Sequence, residues 1–378
     1  MSDLLNGAHT IHSDDDFMAA ALAVGRRNLG RTAPNPAVGA LLAKDGVVLA
    51  QGFTGAGGRP HAETVALATA GAAARGATLY VTLEPCSHHG ETPPCVDAII
   101  TSGVARVVSA MDDPDPRVAG QGHERLRAAG VEVVVGPGAA QARRDHLGHI
   151  LRATQGRPMM TLKLAQTPDG YAAGAAHDAR LHITGPVADA YTHVQRLLHD
   201  AIMIGVGTAR EDDPLMTVRL PGLEGEQRLR IVIDSRLTLS PCSRLGSTAR
   251  DIPTLIVVSQ MVPQAEVAAF QEATGAEVMR SPMNLLGRVD MPAALRLLGQ
   301  RGLTRIFCEG GPRLAESLIA GGLADEIILH TGAKPFGGQG RRALLPAAQA
   351  LLEDEATYRL AERAELGADR MARYERLG

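Results

Sequence analysis

The sequence predicts an α/β protein of two domains, each a sheet covered by helices. Three observations carry that expectation. The 378 residues suit two domains of ordinary size. Helix-like and strand-like patterns alternate through both halves, which is how a sheet acquires covering helices. The alternation pauses once, at Ile150 to Pro158, and restarts at Met159. The first domain is therefore expected over residues 14–149, a linker over 150–158, and the second domain over 159–378.

In the first half, Phe17 to Leu29 reads as a helix. Val38 to Ala43 and Val47 to Gln51 flank Lys44-Asp45-Gly46 and read as a hairpin. The Ala-rich segment Thr64 to Ala74 reads as a helix that His61 opens. Thr78 to Leu83 is a short strand delivering Glu84-Pro85-Cys86. Thr92-Pro93-Pro94-Cys95 looks like a helix start, with proline at the first helical positions. Arg106 to Ala110 and Val131 to Val135 are strands, with a helix between them near Glu124 to Ala129. In the second half the expected strands are Met160–Ala165, Ala201–Val206, Arg230–Asp234, Thr254–Val258, Arg305–Glu309 and Glu326–His330. Helices fall between them, for example Val187–Leu198 and Leu314–Ile319.

Composition narrows the function. Aromatic residues make up 3% of the chain and Trp is absent, so Ala, Leu and Val must build the cores. The net charge is −3 with no polybasic run, which argues against a long nucleic-acid footprint. Four cysteines in this length do not make a disulfide framework. Met1 to Asp16 lack a basic-then-apolar signal pattern, and no apolar stretch is long enough to span a bilayer. A cytoplasmic protein without membrane or nucleic-acid partners is expected.

Chemistry concentrates in two short segments. Pro60-His61-Ala62-Glu63 and Glu84-Pro85-Cys86 through Pro94-Cys95 offer one imidazole and two thiols, enough to hold a zinc ion and leave a fourth position to water. His-x-Glu followed by Pro-Cys and a second Cys is the pattern of zinc-dependent base deaminases, in which the Glu moves protons. Residues two apart lie roughly 200° apart around a helix. His61 and Glu63 can therefore serve one ion only if it sits over the helix N-terminus. The positive end of the helix dipole would then favour thiolate over thiol. Singly these residues are ordinary, since a lone Cys is usually a small buried hydrophobe.

The second half carries weaker signals. Phe307-Cys308-Glu309-Gly310-Gly311-Pro312 reads as strand, glycine turn and helix start, a place where phosphate can bind. Lys163 stands on an apolar strand, where a strand-edge lysine is the plain alternative. Arg210 to Arg219 reads as a solvated acidic loop around Pro214. No G-x-G-x-x-G occurs, so a Rossmann dinucleotide site is not indicated.

Taken together these segments resemble the bifunctional deaminase–reductases of riboflavin biosynthesis. The match includes Ala33-Pro34-Asn35-Pro36-Ala37-Val38-Gly39, Pro60-His61-Ala62-Glu63, Glu84-Pro85-Cys86-Ser87-His88-His89-Gly90 and Thr92-Pro93-Pro94-Cys95. Further on it includes Leu162-Lys163-Leu164-Ala165, Asp212-Asp213-Pro214, Thr217-Val218-Arg219, Ile233-Asp234-Ser235 and Glu309-Gly310-Gly311-Pro312. The resemblance implies a cytidine-deaminase-like α/β/α domain followed by a dihydrofolate-reductase-like α/β domain. It implies a small-molecule substrate, 2,5-diamino-6-ribosylamino-4(3H)-pyrimidinone 5′-phosphate. The first domain would deaminate its ring and the second would reduce its ribosyl group to ribityl with NADPH.

By the same resemblance, His61, Cys86 and Cys95 are the zinc ligands and Glu63 is the catalytic proton carrier. Cofactor-contacting positions are Ala165, Gln166, His182, Thr208, Asp212, Ser235 and the run Gly311, Pro312, Arg313, Leu314, Ala315, Glu316 and Ser317. Substrate-contacting positions are Asn35, Lys163, Arg180, Arg196, Met216, Arg219 and Glu309. A homo-oligomer, dimer or tetramer, is also implied. The chain departs from the family at Arg180-Leu181-His182, where members carry a substrate-contacting serine, a spacer and a cofactor-contacting tryptophan. Weaker NADPH binding is expected there. Glu91 also replaces a usual basic residue. These departures keep a second reading open, a deaminase whose reductase-like domain serves only assembly.

Overall fold

The computed structural model describes residues 13–89, 93–115, 118–175 and 181–377. They form two compact units that part between Gly156 and Arg157. The first unit runs in chain order through α1 (Asp14–Gly25), β1 (Gly39–Lys44), β2 (Val47–Phe53), α2 (Ala62–Ala70), β3 (Thr78–Val81) and α3 (Cys95–Ser102). It continues through β4 (Arg106–Ser109), α4 (Gln121–Ala128), β5 (Glu132–Val135), α5 (Ala139–Asp145) and α6 (Leu147–Gln155).

The five strands lie in the order β2-β1-β3-β4-β5. β1 pairs antiparallel with β2 and β3, while β3, β4 and β5 run parallel. The β1–β2 hairpin turns on Asp45 and Gly46, whose φ angles of 51° and 78° suit a tight turn that follows strand twist. Ser13 caps α1: its hydroxyl accepts the Asp16 N–H, and the Asp16 carboxylate accepts from the Ser13 N–H in return. Arg106 on β4 grips Asp14 through two bonds of 2.7 and 2.8 Å, which fastens α1 to the sheet.

Two glycines set how closely helices approach this sheet. A Cβ on Gly39 would lie 1.9 Å from the Ala21 carbonyl oxygen, so only glycine lets α1 lie directly on β1. A Cβ on Gly52 would lie 2.2 Å from the Ala62 oxygen and 2.7 Å from the Ala66 nitrogen. That contact seats the first turn of α2, and with it His61, the N-cap residue.

Some boundaries differ from expectation for physical reasons. α1 starts three residues before Phe17, at its cap, and its last turn passes into a 3-10 turn at Arg26–Asn28. α2 starts before Thr64 and stops at Gly71, where φ is 55°; Gly71–Ala74 is a separate 3-10 turn. The segment expected as a linker is largely helical. Leu151 is buried and Ile150 packs on the first core, so α6 stays with the first unit until Gly156 ends it in the left-handed conformation.

The second unit begins with β6 (Met159–Gln166), β7 (Tyr171–Ala173), α7 (Pro186–Leu197), β8 (Ala201–Gly205), α8 (Val206–Asp212) and β9 (Leu229–Ile233). α9 (Arg244–Ser247), β10 (Thr254–Ser259), α10 (Gln264–Thr274), β11 (Glu277–Ser281), α11 (Met291–Gln300) and β12 (Arg305–Cys308) follow. It ends with α12 (Pro312–Ala320), β13 (Glu326–Thr331), β14 (Arg341–Arg342), α13 (Pro346–Glu353), β15 (Tyr358–Leu366) and β16 (Asp369–Arg376). Nine strands form one sheet in the order β11-β10-β9-β8-β12-β6-β13-β16-β15. They run parallel from β11 to β13, and β16 and β15 close the edge as an antiparallel hairpin.

Side chains alternate between two cores, one on each face. Leu255 and Val257 enter one and Ile256 and Val258 the other; Ile306 and Cys308 are likewise separated from Phe307. All six strands expected from the sequence are present. The β15–β16 hairpin was not expected, because Arg and Glu interrupt its apolar pattern and it lies at the sheet edge. No described helix is long and apolar enough to cross a membrane.

A buried ion pair anchors the start of this sheet. Arg157 reaches Asp325 at 2.7 and 2.8 Å, and Asp325 also accepts the Met160 N–H at 2.8 Å. Both side chains are only 7% exposed. Asp325→Ala should therefore cost the second unit about 3–5 kcal/mol, since it strands a buried guanidinium. Gly52→Ala should lower the stability of the first unit by about 1–3 kcal/mol, the usual range for forced overpacking. Denaturant unfolding of the full chain, followed by a probe in each unit, checks both, and each loss should appear in its own unit.

Candidate active sites

In the first unit, α2 and α3 present their N-termini beside the chain segment after β3. His61 caps α2, Cys95 opens α3, and Cys86 lies between β3 and α3. Their ligating atoms all lie within 4.8 Å of one another. His61 Nδ1 is 3.2 Å from Cys95 Sγ and 3.6 Å from Cys86 Sγ. The Cys95 N–H, at the helix start, donates to Cys86 Sγ at 3.3 Å. Neither His88 nor His89 joins this group, so a closed four-ligand site is not formed among the described residues.

The charges of the site are mutually dependent. The Cys95 thiol donates to Cys86, which brings the Cys86 thiol down to about 4 and raises that of Cys95. The protein's own groups thus hold one proton between two sulfurs. The hydrogen bond to Cys86 raises the His61 pKa. Glu63 is 4% exposed, and burial together with the Cys86 charge pushes its pKa up to about 7. A soft divalent cation fits this donor set, because it would replace the shared proton and relieve the buried negative charge.

Glu84 holds the neighbouring chain in place. One carboxylate oxygen accepts the N–H groups of Gly122 and His123, at 2.7 and 3.4 Å; the other accepts those of Asp113 and Gly120, at 2.9 and 2.8 Å. Glu84, Asp112 and His123 also lie within ligating distance of one another. With both Glu84 oxygens already committed to backbone donors, the cluster is a structural clasp. Asn35 donates from Nδ2 to the Gly58 carbonyl at 2.9 Å, so its side chain is fixed beside the segment leading to His61.

In the second unit, the expected residues gather at the C-terminal ends of the parallel strands, where α/β sheets bind ligands. Lys163, Ala165 and Gln166 lie on β6, which is an inner strand, not the strand edge proposed as the plain reading of Lys163. Arg196 on α7 grips Glu309, just after β12, at 2.5 and 2.8 Å, and donates from Nη1 to the Thr217 carbonyl. The Arg196 and Lys163 charges hold Glu309 ionised against the cost of burial, so its pKa is lowered. Burial lowers the Lys163 pKa. Arg219 reaches Thr217 Oγ1 at 3.3 Å. Met216 is buried with a positive φ of 52°.

The nucleotide-binding candidates occupy neighbouring turns. Thr208 and Asp212 belong to α8, so the expected solvated loop is helical at its start, Arg210 to Asp212, and irregular from Asp213 onward. Gly311 caps α12 and no side chain caps that helix, which leaves its first N–H groups available. A Cβ on Gly311 would lie 2.7 Å from Thr208 Oγ1, and φ there is 94°, so the turn is cut for glycine. This cradle suits a diphosphate. Pro312, Arg313, Glu316 and Ser317 remain partly or fully exposed, whereas Leu314 and Ala315 point into the core and have only backbone to offer. Ser235 Oγ accepts the Val289 N–H at 2.9 Å. His182 is exposed ahead of α7, while Arg180 and Glu91 lie outside the described residues.

Two residues with evident roles had not been singled out. Glu84 was expected only as part of the segment that delivers Cys86, and nothing in the sequence marks a carboxylate that accepts four N–H groups. His193 lies one turn before Arg196 on α7, and its Nδ1 accepts the Arg219 N–H at 3.3 Å. The three-residue spacing on a helix was the available signal. A separate cavity of about 870 Å³ lies against α13 and the β15–β16 hairpin; of the expected site residues only Gln166 lines it.

Comparison with known proteins agrees with this division. Residues 11–111 match the cytidine and deoxycytidylate deaminase zinc-binding region, and residues 158–366 match the RibD C-terminal domain. The chain is 36% identical to the riboflavin biosynthesis protein RibD of Escherichia coli K12, over 94% of this chain and 97% of that one. It is 38% identical to RibD of Aquifex aeolicus, over 86% and 88%. Among solved structures, Acinetobacter baumannii RibD superposes with a TM-score of 0.82 at 31% identity, covering 96% of this chain and 99% of that one. A diaminohydroxyphosphoribosylaminopyrimidine deaminase/5-amino-6-(5-phosphoribosylamino)uracil reductase from Thermotoga maritima gives 0.81 at 29%, with the same coverage. The chain belongs to the RibD family of riboflavin biosynthesis proteins.

Proposed function

We propose that this enzyme performs two consecutive steps on one phosphorylated pyrimidine. The first unit deaminates 2,5-diamino-6-ribosylamino-4(3H)-pyrimidinone 5′-phosphate, and the second reduces the ribosyl group of the product to ribityl with NADPH. The observation that carries the first step is the open set of His61, Cys86 and Cys95 beside the buried carboxyl of Glu63. The presence of both family matches favours two activities over a deaminase with an idle second domain.

His61, Cys86 and Cys95 would hold zinc, with their two helix N-termini supporting the thiolate charge. Bound there, zinc supplies a Lewis acid that makes water a nucleophile near neutral pH. Glu63 would take a proton from the attacking water and pass it to the ring nitrogen as the amine-bearing carbon is attacked. It would then carry the proton of the newly bonded hydroxyl to the amine, which leaves as ammonia, so the C–N bond breaks and a C=O remains. A pKa near neutrality, set by burial, suits a group that must both accept and donate. Asn35 uses its amide N–H for Gly58, which leaves its carbonyl oxygen to accept from the substrate.

In the second unit NADPH would supply the hydride that ends on C1′ of the opened sugar. The uncapped N-terminus of α12 and the Gly310-Gly311 turn would receive its diphosphate. Ser235 and the exposed Arg236 that follows it would meet its 2′-phosphate, which an arginine can bind in bidentate fashion. The Glu309 carboxylate, fixed by Arg196, is suited to sugar hydroxyls; Lys163 and Arg219 add positive charge for a phosphorylated ligand.

Glu63→Gln should retain one zinc per chain and the wild-type fold. It should slow deamination at least about a hundredfold, the usual worth of a positioned acid–base group. Reduction of pre-deaminated substrate should be unchanged in that variant. Metal analysis with separate assays of the two steps checks this, and residual deamination above about a hundredth of wild type would remove Glu63 from the role. Titration of the pure protein should show tighter binding of NADPH than of NADH. Binding of neither would leave the second unit an assembly domain.

A further inference from the structure

The positive cluster at the end of α7 contains a histidine whose proton is fixed by its neighbours. His193 Nδ1 faces the Arg219 N–H at 3.3 Å and Arg196 Nη1 at 3.5 Å. Both groups are donors, so Nδ1 must be the bare nitrogen of a neutral ring and the proton must sit on Nε2. Burial, and then the charges of Arg196 and Arg219, keep the His193 pKa below its ordinary value, which agrees with a neutral ring. Nε2 has no hydrogen-bond partner among the described residues and the ring is only half-buried, so this N–H is available to a ligand.

The neighbouring guanidiniums differ in what they can still offer. Arg196 commits Nε and Nη2 to Glu309 and Nη1 to the Thr217 carbonyl. Among the described residues Arg219 commits only Nη1, to Thr217 Oγ1. Among these three side chains the unspent donors are therefore those of Arg219 and the single N–H of His193. A fixed neutral donor beside a free guanidinium is an anion-binding pair, and the anion of the proposed substrate is its 5′-phosphate.

We propose that His193 is a specificity residue of the reductase, and that its Nε2–H joins Arg219 in gripping the substrate's 5′-phosphate. This rests on the reading of the second unit as the reductase of a phosphorylated substrate. The plain rival is that His193 only supports the backbone of Arg219 through Nδ1.

Two amides separate these roles, because each preserves one ring nitrogen. His193→Asn can keep the acceptor near the Nδ1 position and loses the distal donor. His193→Gln can place an amide N–H near Nε2. The full-length chain is assayed with pre-deaminated substrate and with its dephosphorylated nucleoside, and the ratio of the two KM values is read. His193→Asn should reduce the preference for the phosphorylated form about tenfold or more, through KM with little change in kcat, as expected for one lost hydrogen bond to a charged group. His193→Gln should restore most of it. Calorimetric titration with ribose 5-phosphate should follow the same order. If Asn preserves the preference, or Asn and Gln lose it equally, His193 does not touch the phosphate. Arg219→Ala is the control: if it leaves the preference unchanged, the phosphate does not bind here, and the reading beneath the proposal fails as well.

Discussion

A buried carboxyl beside two sulfurs is an arrangement that a protein can keep only by managing negative charge. Glu63, Cys86 and Cys95 could together carry three negative charges in a space where Glu63 is 4% exposed. The groups respond by sharing a proton between the sulfurs and by raising the carboxyl toward neutrality. The fold responds by aiming the N-termini of α2 and α3 at the same point. Everything else in the first unit serves that convergence. Gly52 allows α2 to sit low on β2, and β3 brings the chain to Cys86. Glu84 binds the segment before α4 so that the loop bearing Cys86 has a fixed floor.

The second unit meets the opposite problem by similar means. Lys163, Arg196 and Arg219 crowd this site with positive charge, against the carboxylate of Glu309 and, further out, that of Asp189. Arg196 and Glu309 neutralise each other through two close bonds, and the pair ties α7 to the end of β12. Removing either partner would leave a buried charge unpaired, so their geometry matters more to the fold than their net attraction.

Much of this was legible in the sequence, because the informative features are local. The Asp45-Gly46 turn, the strand before Cys86 and the helix starts at His61 and Cys95 depend on neighbours within a few residues. The over-the-terminus position of His61 follows from helix geometry alone. The six inner strands of the second unit carry continuous apolar runs because the sheet is covered on both faces. What escaped reading depends on distant chain. Residues 150–158 read as a linker because nothing nearby says that Ile150 and Leu151 have a core to join. The β15–β16 hairpin half-buries a charged sequence at the edge of the sheet, where it pairs with β13. The carboxylate of Glu84 serves residues up to 39 positions away, and His193 acquires its tautomer from a backbone N–H 26 positions away.

The signs of the two sites bear on what each can bind. The first offers an imidazole, two sulfurs and a carboxyl, all of which gain from a cation. The second offers an ammonium, a guanidinium and an imidazole N–H around one committed carboxylate, together with an uncapped helix start at Gly311. A divalent cation there would have to displace Arg196 from Glu309, while phosphates would meet donors already in place. The pattern of charge therefore marks a cation site in the first unit and anion-binding groups in the second.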